Sequence, residues 1–234
     1  EKIYPGYLCV IAQDTDGYIY GSGLNDCGQL GTGFDHCHQE YFTQLDYLFD
    51  HISDIKQVVC GSYHTLMLKN DGTVWGCGRN TGSELGLLPS TNHHKLTQIN
   101  ISDVKSIASY DSSFAIKNDG TLWACGRNYY GQLGLGDKKD RKTFTQVNIT
   151  DIKDVFCGYN STFILKNDGT AWSTVMQMSF KEGSFIDIPA ADNFSIMDVS
   201  YISFTLFGAV SPVEYTFSVR LLFESCLGTL DLNM

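Results

Sequence analysis

The chain has 234 residues, 18% of them charged and 13% aromatic, with 23 glycines against 4 prolines and a net charge of −10. That length buries a proper core in one larger or two smaller domains, and the mix suits short strands with glycine-rich turns rather than disorder or a coiled coil. The acidic balance repels phosphate backbones and argues against nucleic acid as a direct partner.

No stretch approaches the roughly 20 apolar residues that cross a bilayer as a helix. The most apolar segment, Tyr201 to Val210, has the length of a strand. The chain opens on Glu1 with neither an initiator methionine nor a signal-like segment, which reads as a processed product or a piece of a longer chain.

The first element is the hairpin Asp14-Thr15-Asp16-Gly17-Tyr18-Ile19-Tyr20, followed by Gly21-Ser22-Gly23-Leu24-Asn25, the loop Gly28-Gln29-Leu30-Gly31 and the strand Phe42-Thr43-Gln44-Leu45. The pattern then restarts. Ile55 to Cys60 reads as a strand, Thr65 to Lys69 as a second, and Asn70-Asp71-Gly72 as the tight turn into Thr73-Val74-Trp75-Gly76-Cys77-Gly78. Glu84-Leu85-Gly86 and the strand Lys95 to Ile99 complete this copy. Lys117-Asn118-Asp119-Gly120-Thr121-Leu122-Trp123 begins the next hairpin, with Gly131-Gln132-Leu133-Gly134 and Phe144 to Asn148 after it. Lys166-Asn167-Asp168-Gly169-Thr170-Ala171-Trp172 is the last clear hairpin. A period of about 50 residues predicts four-stranded antiparallel blades of an incomplete β-propeller. The copies span about 1–54, 55–103, 104–151 and a partial 152–172. Residues 173–234, which lack the Gly-Gln-Leu-Gly loop, read as a degenerate repeat or as a separate β-rich segment that caps or docks.

These residues resemble the regulator-of-chromosome-condensation repeat family through the Asn-Asp-Gly-Thr-x-Trp hairpin, the Gly-x-Gly-x-Asn segment and the Gly-Gln-Leu-Gly loop. The resemblance covers approximately residues 6 to 172. It implies an all-β propeller, which in that family has seven blades. Seven blades of about 50 residues need roughly 350, so three full copies and part of a fourth cannot close such a ring. It also implies protein-binding roles: guanine-nucleotide exchange on a small GTPase, inhibition of β-lactamases, or modules within larger signalling or ubiquitin-ligase chains.

Most conspicuous residues have a structural reading. The tryptophans sit at one strand position per blade and read as packing. Asp16, Asp71, Asp119 and Asp168 belong to the turns, since calcium needs six or more converging oxygens. No glycine-rich loop is followed by Lys-Ser/Thr, which excludes a phosphate loop, and no nucleophile–base spacing or cofactor motif is visible. Cys60 shares a column with Ala108 and Cys157, and Cys77 with Ser22 and Cys125. That alternation reads as small, free, buried side chains, which favours a reducing compartment such as the cytoplasm, with a virion as the alternative. His36-Cys37-His38 with Cys27 has poor zinc spacing, because neighbours on an extended segment point to opposite faces.

The loops after the third strand of each copy differ, as partner-specific loops on a repeat scaffold do. Tyr129 and Tyr130 are the foremost candidate contact residues, with Asp137, Arg141, His36 and His38 from neighbouring loops. The reading is a non-enzymatic protein-binding or structural module without cofactor or metal, working within a larger or oligomeric assembly such as a phage virion or surface adhesin. A guanine-nucleotide exchange factor or an enzyme inhibitor is the alternative.

Overall fold

The computed structural model describes residues 2–33, 38–45, 54–174, 185–188, 202–204 and 219–221. The first sheet is β1 (Lys2–Pro5), β2 (Cys9–Gln13), β3 (Ile19–Gly23) and β4 (Gln39–Gln44). The second is β5 (Ile55–Cys60), β6 (His64–Lys69), β7 (Val74–Gly78) and β8 (His93–Gln98), and the third β9 (Val104–Ser109), β10 (Ser112–Lys117), β11 (Leu122–Gly126) and β12 (Arg141–Val147). The fourth joins β13 (Ile152–Cys157), β14 (Thr162–Lys166) and β15 (Ala171–Thr174) to β16 (Phe185–Ile188). Each is an antiparallel meander in chain order. The chain divides into compact units at Pro189/Ala190, and the second unit contains the antiparallel pair β17 (Ile202–Phe204) and β18 (Val219–Leu221). No described helix is long and apolar enough to cross a membrane.

The repeated hairpin is a closed local device in which nearly every residue of the sequence motif has a partner. Asp71 Oδ1 accepts from the Thr73 amide (2.9 Å) and hydroxyl (2.7 Å), and these bonds hold its carboxyl below the usual carboxylate range. The same hydroxyl accepts from Trp75 Nε1 (3.2 Å), and the Lys69 ammonium lies 4.9 Å from the centre of the indole. Asp119-Thr121-Trp123-Lys117 and Asp168-Thr170-Trp172-Lys166 repeat the set. Asn118 and Asn167 anchor the turn to the preceding connection through Asp103 and Asp151, which adopt positive φ.

The first strands of successive sheets, β1, β5, β9 and β13, approach one another, and the cores lie between sheets. One core joins Ile11, Ile19, Leu30 and Leu45 of the first sheet to Val58 and Met67 of the second; another joins Leu66, Leu68, Val74 and Leu85 to Val104, Ile107 and Ala115; a third joins Phe114, Ile116, Leu122 and Leu133 to Ile152, Val155 and Ile164. Polar ties run through the same interfaces. Thr65 Oγ1 donates to the Gln29 carbonyl (2.7 Å), and Ser113 Oγ makes the equivalent bond to the Glu84 carbonyl (2.5 Å). Gln57 spans two blades, its amide bonding both the carbonyl and the amide of Ile107.

The face of the first sheet that corresponds to these covered faces is open. Val58, Ile107 and Val155 share one column and are each 4% exposed, whereas Ile3 in that column is 71% exposed. Leu96 and Phe144 pack against the preceding blade; their counterpart Phe42 is 55% exposed. Where Thr65 and Ser113 donate to the preceding blade, the first sheet has Val10.

His64 is completely buried between the second and third sheets, with Nε2 hydrogen-bonded to Ser109 Oγ (2.6 Å) and Ser113 Oγ (3.0 Å). Burial, with the Arg79 charge acting the same way, lowers the imidazole to about 3. Unfolded, the ring titrates near 6.5, so the folded state binds fewer protons in this window. Stability is therefore whole above about pH 6.5 and falls as the pH drops from there towards 3. Urea unfolding between pH 7 and pH 4 should show a shallower loss of stability in His64→Gln than in the wild type. Equal slopes would remove His64 as the linked group.

Candidate partner-binding rim

In an antiparallel meander the first-to-second and third-to-fourth strand connections share one end. The described variable-loop residues of the first three blades therefore collect on one rim, opposite the repeated hairpins. In the first three blades the long loop is held by a completely buried asparagine at its start. Asn25, Asn80 and Asn128 accept through Oδ1 from the amides of Leu30, Leu85 and Leu133 (2.9, 3.0 and 2.9 Å). Their Nδ2 groups reach forward to different acceptors: Thr32 Oγ1, the Leu87 carbonyl and the Asp137 carbonyl. A second clamp comes from the Gln of the Gly-Gln-Leu-Gly loop. Gln29 and Gln132 accept through Oε1 from the amide two residues earlier, and Glu84 does the same for Gly82.

Glu84 adds charge to that role. Its carboxylate is completely buried, accepts from Arg79 Nε (2.7 Å) and lies 3.4 Å from Arg127 Nε of the next blade. Arg79 also donates to Asp111 (3.1 Å) and lies 4.8 Å from the centre of the Tyr63 ring. This network joins the second and third blades directly beneath the rim.

Tyr129 and Tyr130 meet edge-on, with centroids 4.9 Å apart; Tyr129 is 73% exposed and Tyr130 half-buried. Asp137 and Arg141 are brought together, but with each other: Arg141 donates to Asp137 Oδ2 (2.8 Å), and Asp137 also takes bonds from Lys139 and Asn128. Hydrogen bonds from Arg141 and the Lys139 amide hold the Asp137 carboxyl low. The pair shapes its loop and leaves little charge for a partner. His38 is exposed, its Nδ1 3.6 Å from Asp26. His36 lies outside the described residues, as does Cys37. Among the described residues no group of three or more His, Cys, Asp or Glu side chains is placed to hold a metal ion, and six free cysteines are present.

The first-to-second strand connections add four tyrosines that sequence reasoning passed over, one per blade: Tyr7, Tyr63, Tyr110 and Tyr159. Tyr7 meets Tyr63 with centroids 6.3 Å apart, and Tyr110 meets Tyr159 at 6.2 Å. Tyr7 and Tyr159 are more than half exposed. Arg79, between Tyr63 and Asp111, links the two pairs into one arc along the rim. The signal was one tyrosine in each short connection, displaced by one position in the second copy. The rim also holds a serine–histidine pairing, in which His64 and Ser113 are completely buried and Ser109 is half-buried; burial keeps the imidazole neutral, and the pairing ties the second blade to the third.

The two models for the regulator of chromosome condensation (RCC1) repeat match residues 55–82 and 104–132, and residues 16–68 and 119–165. The chain belongs to the RCC1 repeat family. It is 31% identical over 96 residues to the ultraviolet-B receptor UVR8 of Arabidopsis thaliana, covering 40% of this chain and 21% of the receptor. It is 36% identical over 85 residues to the secretion-regulating guanine nucleotide exchange factor of Bos taurus, covering 35% and 17%. The matched region is thus about a fifth of the length of these relatives. Among solved structures, human WBSCR16 superposes with a TM-score of 0.70 at 19% identity, covering 81% of this chain and 52% of that one. Saccharomyces cerevisiae Prp20p, whose structure was described with its binding to Gsp1p and histones, gives a TM-score of 0.66 at 18% identity, covering 81% and 50%. This RCC1-repeat protein thus shares the propeller fold and spans about half of those chains.

Breaking a buried ion pair leaves a charge without compensation and costs about 3–5 kcal/mol. Glu84→Ala should lose that much stability in urea unfolding at pH 7. Glu84→Gln, which restores the residue found at the same position in the neighbouring copies, should lose less. Equal, small losses would show that the arginines do not depend on Glu84.

Proposed function

We propose that this RCC1-repeat chain is a non-enzymatic protein-binding module that engages its partner through the tyrosine-bearing rim. The observation that carries the reading is the arc Tyr7–Tyr63–Arg79–Tyr110–Tyr159 beside Tyr129 and Tyr130. Tyrosine and arginine are the residue types enriched at binding hot spots, where a large rigid ring costs little entropy to immobilise. The Asn128 and Gln132 clamps pre-organise the loop that carries Tyr129 and Tyr130, which lowers the cost of association. Protein partners fit the family, since Prp20p binds Gsp1p and histones.

The open face of the first sheet supports a second part of the reading, that the chain works within a larger assembly. Ile3, Val10 and Phe42 form an apolar surface of the kind that neighbouring blades cover elsewhere in the molecule. A virion or adhesin is one version of such an assembly, and no described residue favours it over others. Guanine-nucleotide exchange is the alternative, favoured by the match to the bovine exchange factor. Exchange works by differential binding of nucleotide states and needs no catalytic set.

Affinity capture of partners by wild type and by a Tyr7→Ala/Tyr129→Ala variant tests the rim. Loss of a hot spot costs at least about 2 kcal/mol, or roughly 30-fold in affinity. The rim variant should lose its partner by that factor with an unchanged melting temperature, while Thr15→Ala on the opposite hairpin rim retains it. Equal capture by all three would contradict the rim, and faster nucleotide release from a small GTPase would select the exchange reading.

A further inference from the structure

Cys9 begins β2 in the first sheet and Cys60 ends β5 in the second, so the two thiols come from different blades. Cys9 occupies the repeat position held by His64 in the next copy. His64 uses that position to reach across to Ser109 at the end of the following blade's first strand. At the first interface the same position reaches Cys60, and the tie is thiol to thiol where the next interface has imidazole to hydroxyl.

The pair is packed beneath Gly6. A Cβ on Gly6 would stand 2.8 Å from Cys60 Cβ and 3.0 Å from Cys9 Sγ, so glycine is what leaves both side chains room to meet. Cys60 packs against the core that contains Cys9, and Cys60 Sγ lies 3.5 Å from the Tyr4 carbonyl of the first blade. Cys9 is buried and Cys60 partly exposed, so a small molecule reaches the pair from the Cys60 side, whereas Cys77 and Cys125 are completely buried and donate to loop carbonyls. All four residues are separate thiols in this structure.

We propose that Cys9 and Cys60 are a dithiol modification site that a small hydroperoxide oxidises to a disulfide, joining the first blade covalently to the second. The Cys9 thiolate attacks one peroxide oxygen; the O–O bond breaks and the leaving oxygen departs as water or alcohol after taking a proton. Cys9 is then a sulfenic acid. The Cys60 sulfur attacks Cys9 Sγ, the S–O bond breaks, and the hydroxyl leaves as water with the Cys60 proton. Two thiols lose two electrons, and the peroxide gains them. The order of attack follows the local chemistry: the neighbouring Cys60 holds the Cys9 thiol low, whereas the Cys9 side chain and burial push Cys60 well up.

The test is hydrogen peroxide treatment of the folded chain, alkylation of remaining thiols and non-reducing peptide mapping by mass spectrometry. The expected product is a Cys9–Cys60 cross-link with loss of two hydrogens. Because it closes a loop of about 50 residues, it should raise the urea midpoint, and a reductant should reverse the rise. In Cys60→Ser the expected species is a Cys9 sulfenic acid trapped by dimedone; in Cys9→Ser, Cys60 should stay reduced. A cross-link from Cys9 to Cys77 or Cys27 would overturn the assignment. So would first oxidation at Cys60, or full alkylation of both thiols after wild-type treatment.

Discussion

A four-stranded sheet has two faces, and in this chain nearly everything follows from the need to cover both. The second and third blades each bury one face against the preceding sheet and the other against the following one, and the first leaves its outer face open. Val58, Ile107 and Val155 show the result, sealed in the same column of three blades. The cores are therefore interfaces between blades and not interiors of blades, as expected for a repeat protein whose stability is a sum of units and nearest-neighbour contacts. Polar groups obey the same constraint. The loop carbonyls of Gln29 and Glu84 are met by hydroxyls of the following blade, and the Gln57 amide satisfies two backbone groups across an interface.

That constraint separates framework from loops. Hairpin residues saturate one another at one end: Asp to Thr, Thr to Trp, Lys over the indole. At the other end a buried asparagine and a glutamine or glutamate hold each loop by its backbone, leaving the outward side chains unconstrained. The rim can therefore vary from copy to copy without disturbing the packing below it, which is where Tyr129 and the tyrosine arc sit. The first blade bends the rules twice. Val10 replaces the interface hydroxyl, and Cys9 stands where the second copy has His64 and the third Ser112.

The architecture was legible because the repeat is written three times in register. Asn-Asp-Gly dictates the turn, the tryptophans mark the third strand, and Phe144 to Val147 has its counterpart in each complete copy. The fourth copy was harder. Its third strand lacks the flanking glycines and its loop motif is missing, yet β16 at Phe185–Ile188 completes the sheet in the place of Phe144 to Val147. The candidate site was only partly legible. Tyr129 and Tyr130 stand out as a pair, but Tyr63 is one position out of step with Tyr7, Tyr110 and Tyr159, so no column reveals the arc. Asp137 and Arg141 read as candidate contacts in sequence, and their pairing with each other at a spacing of four carries no signal there. The strand register puts Ser109, and not Ala108, in the column of Cys60 and Cys157, and Cys9 belongs to another column, so comparing cysteines by column hides the Cys9–Cys60 meeting.

Native-state hydrogen exchange tests the covering constraint most directly. Amides of β6, β7, β10 and β11, whose sheets are covered on both sides, should exchange only through global opening. Those of β2 and β3, whose outer face carries the exposed Ile3 and Phe42, should exchange faster through local opening of the first sheet. Equal protection of β2 and β3 with β6 and β7 would contradict the account.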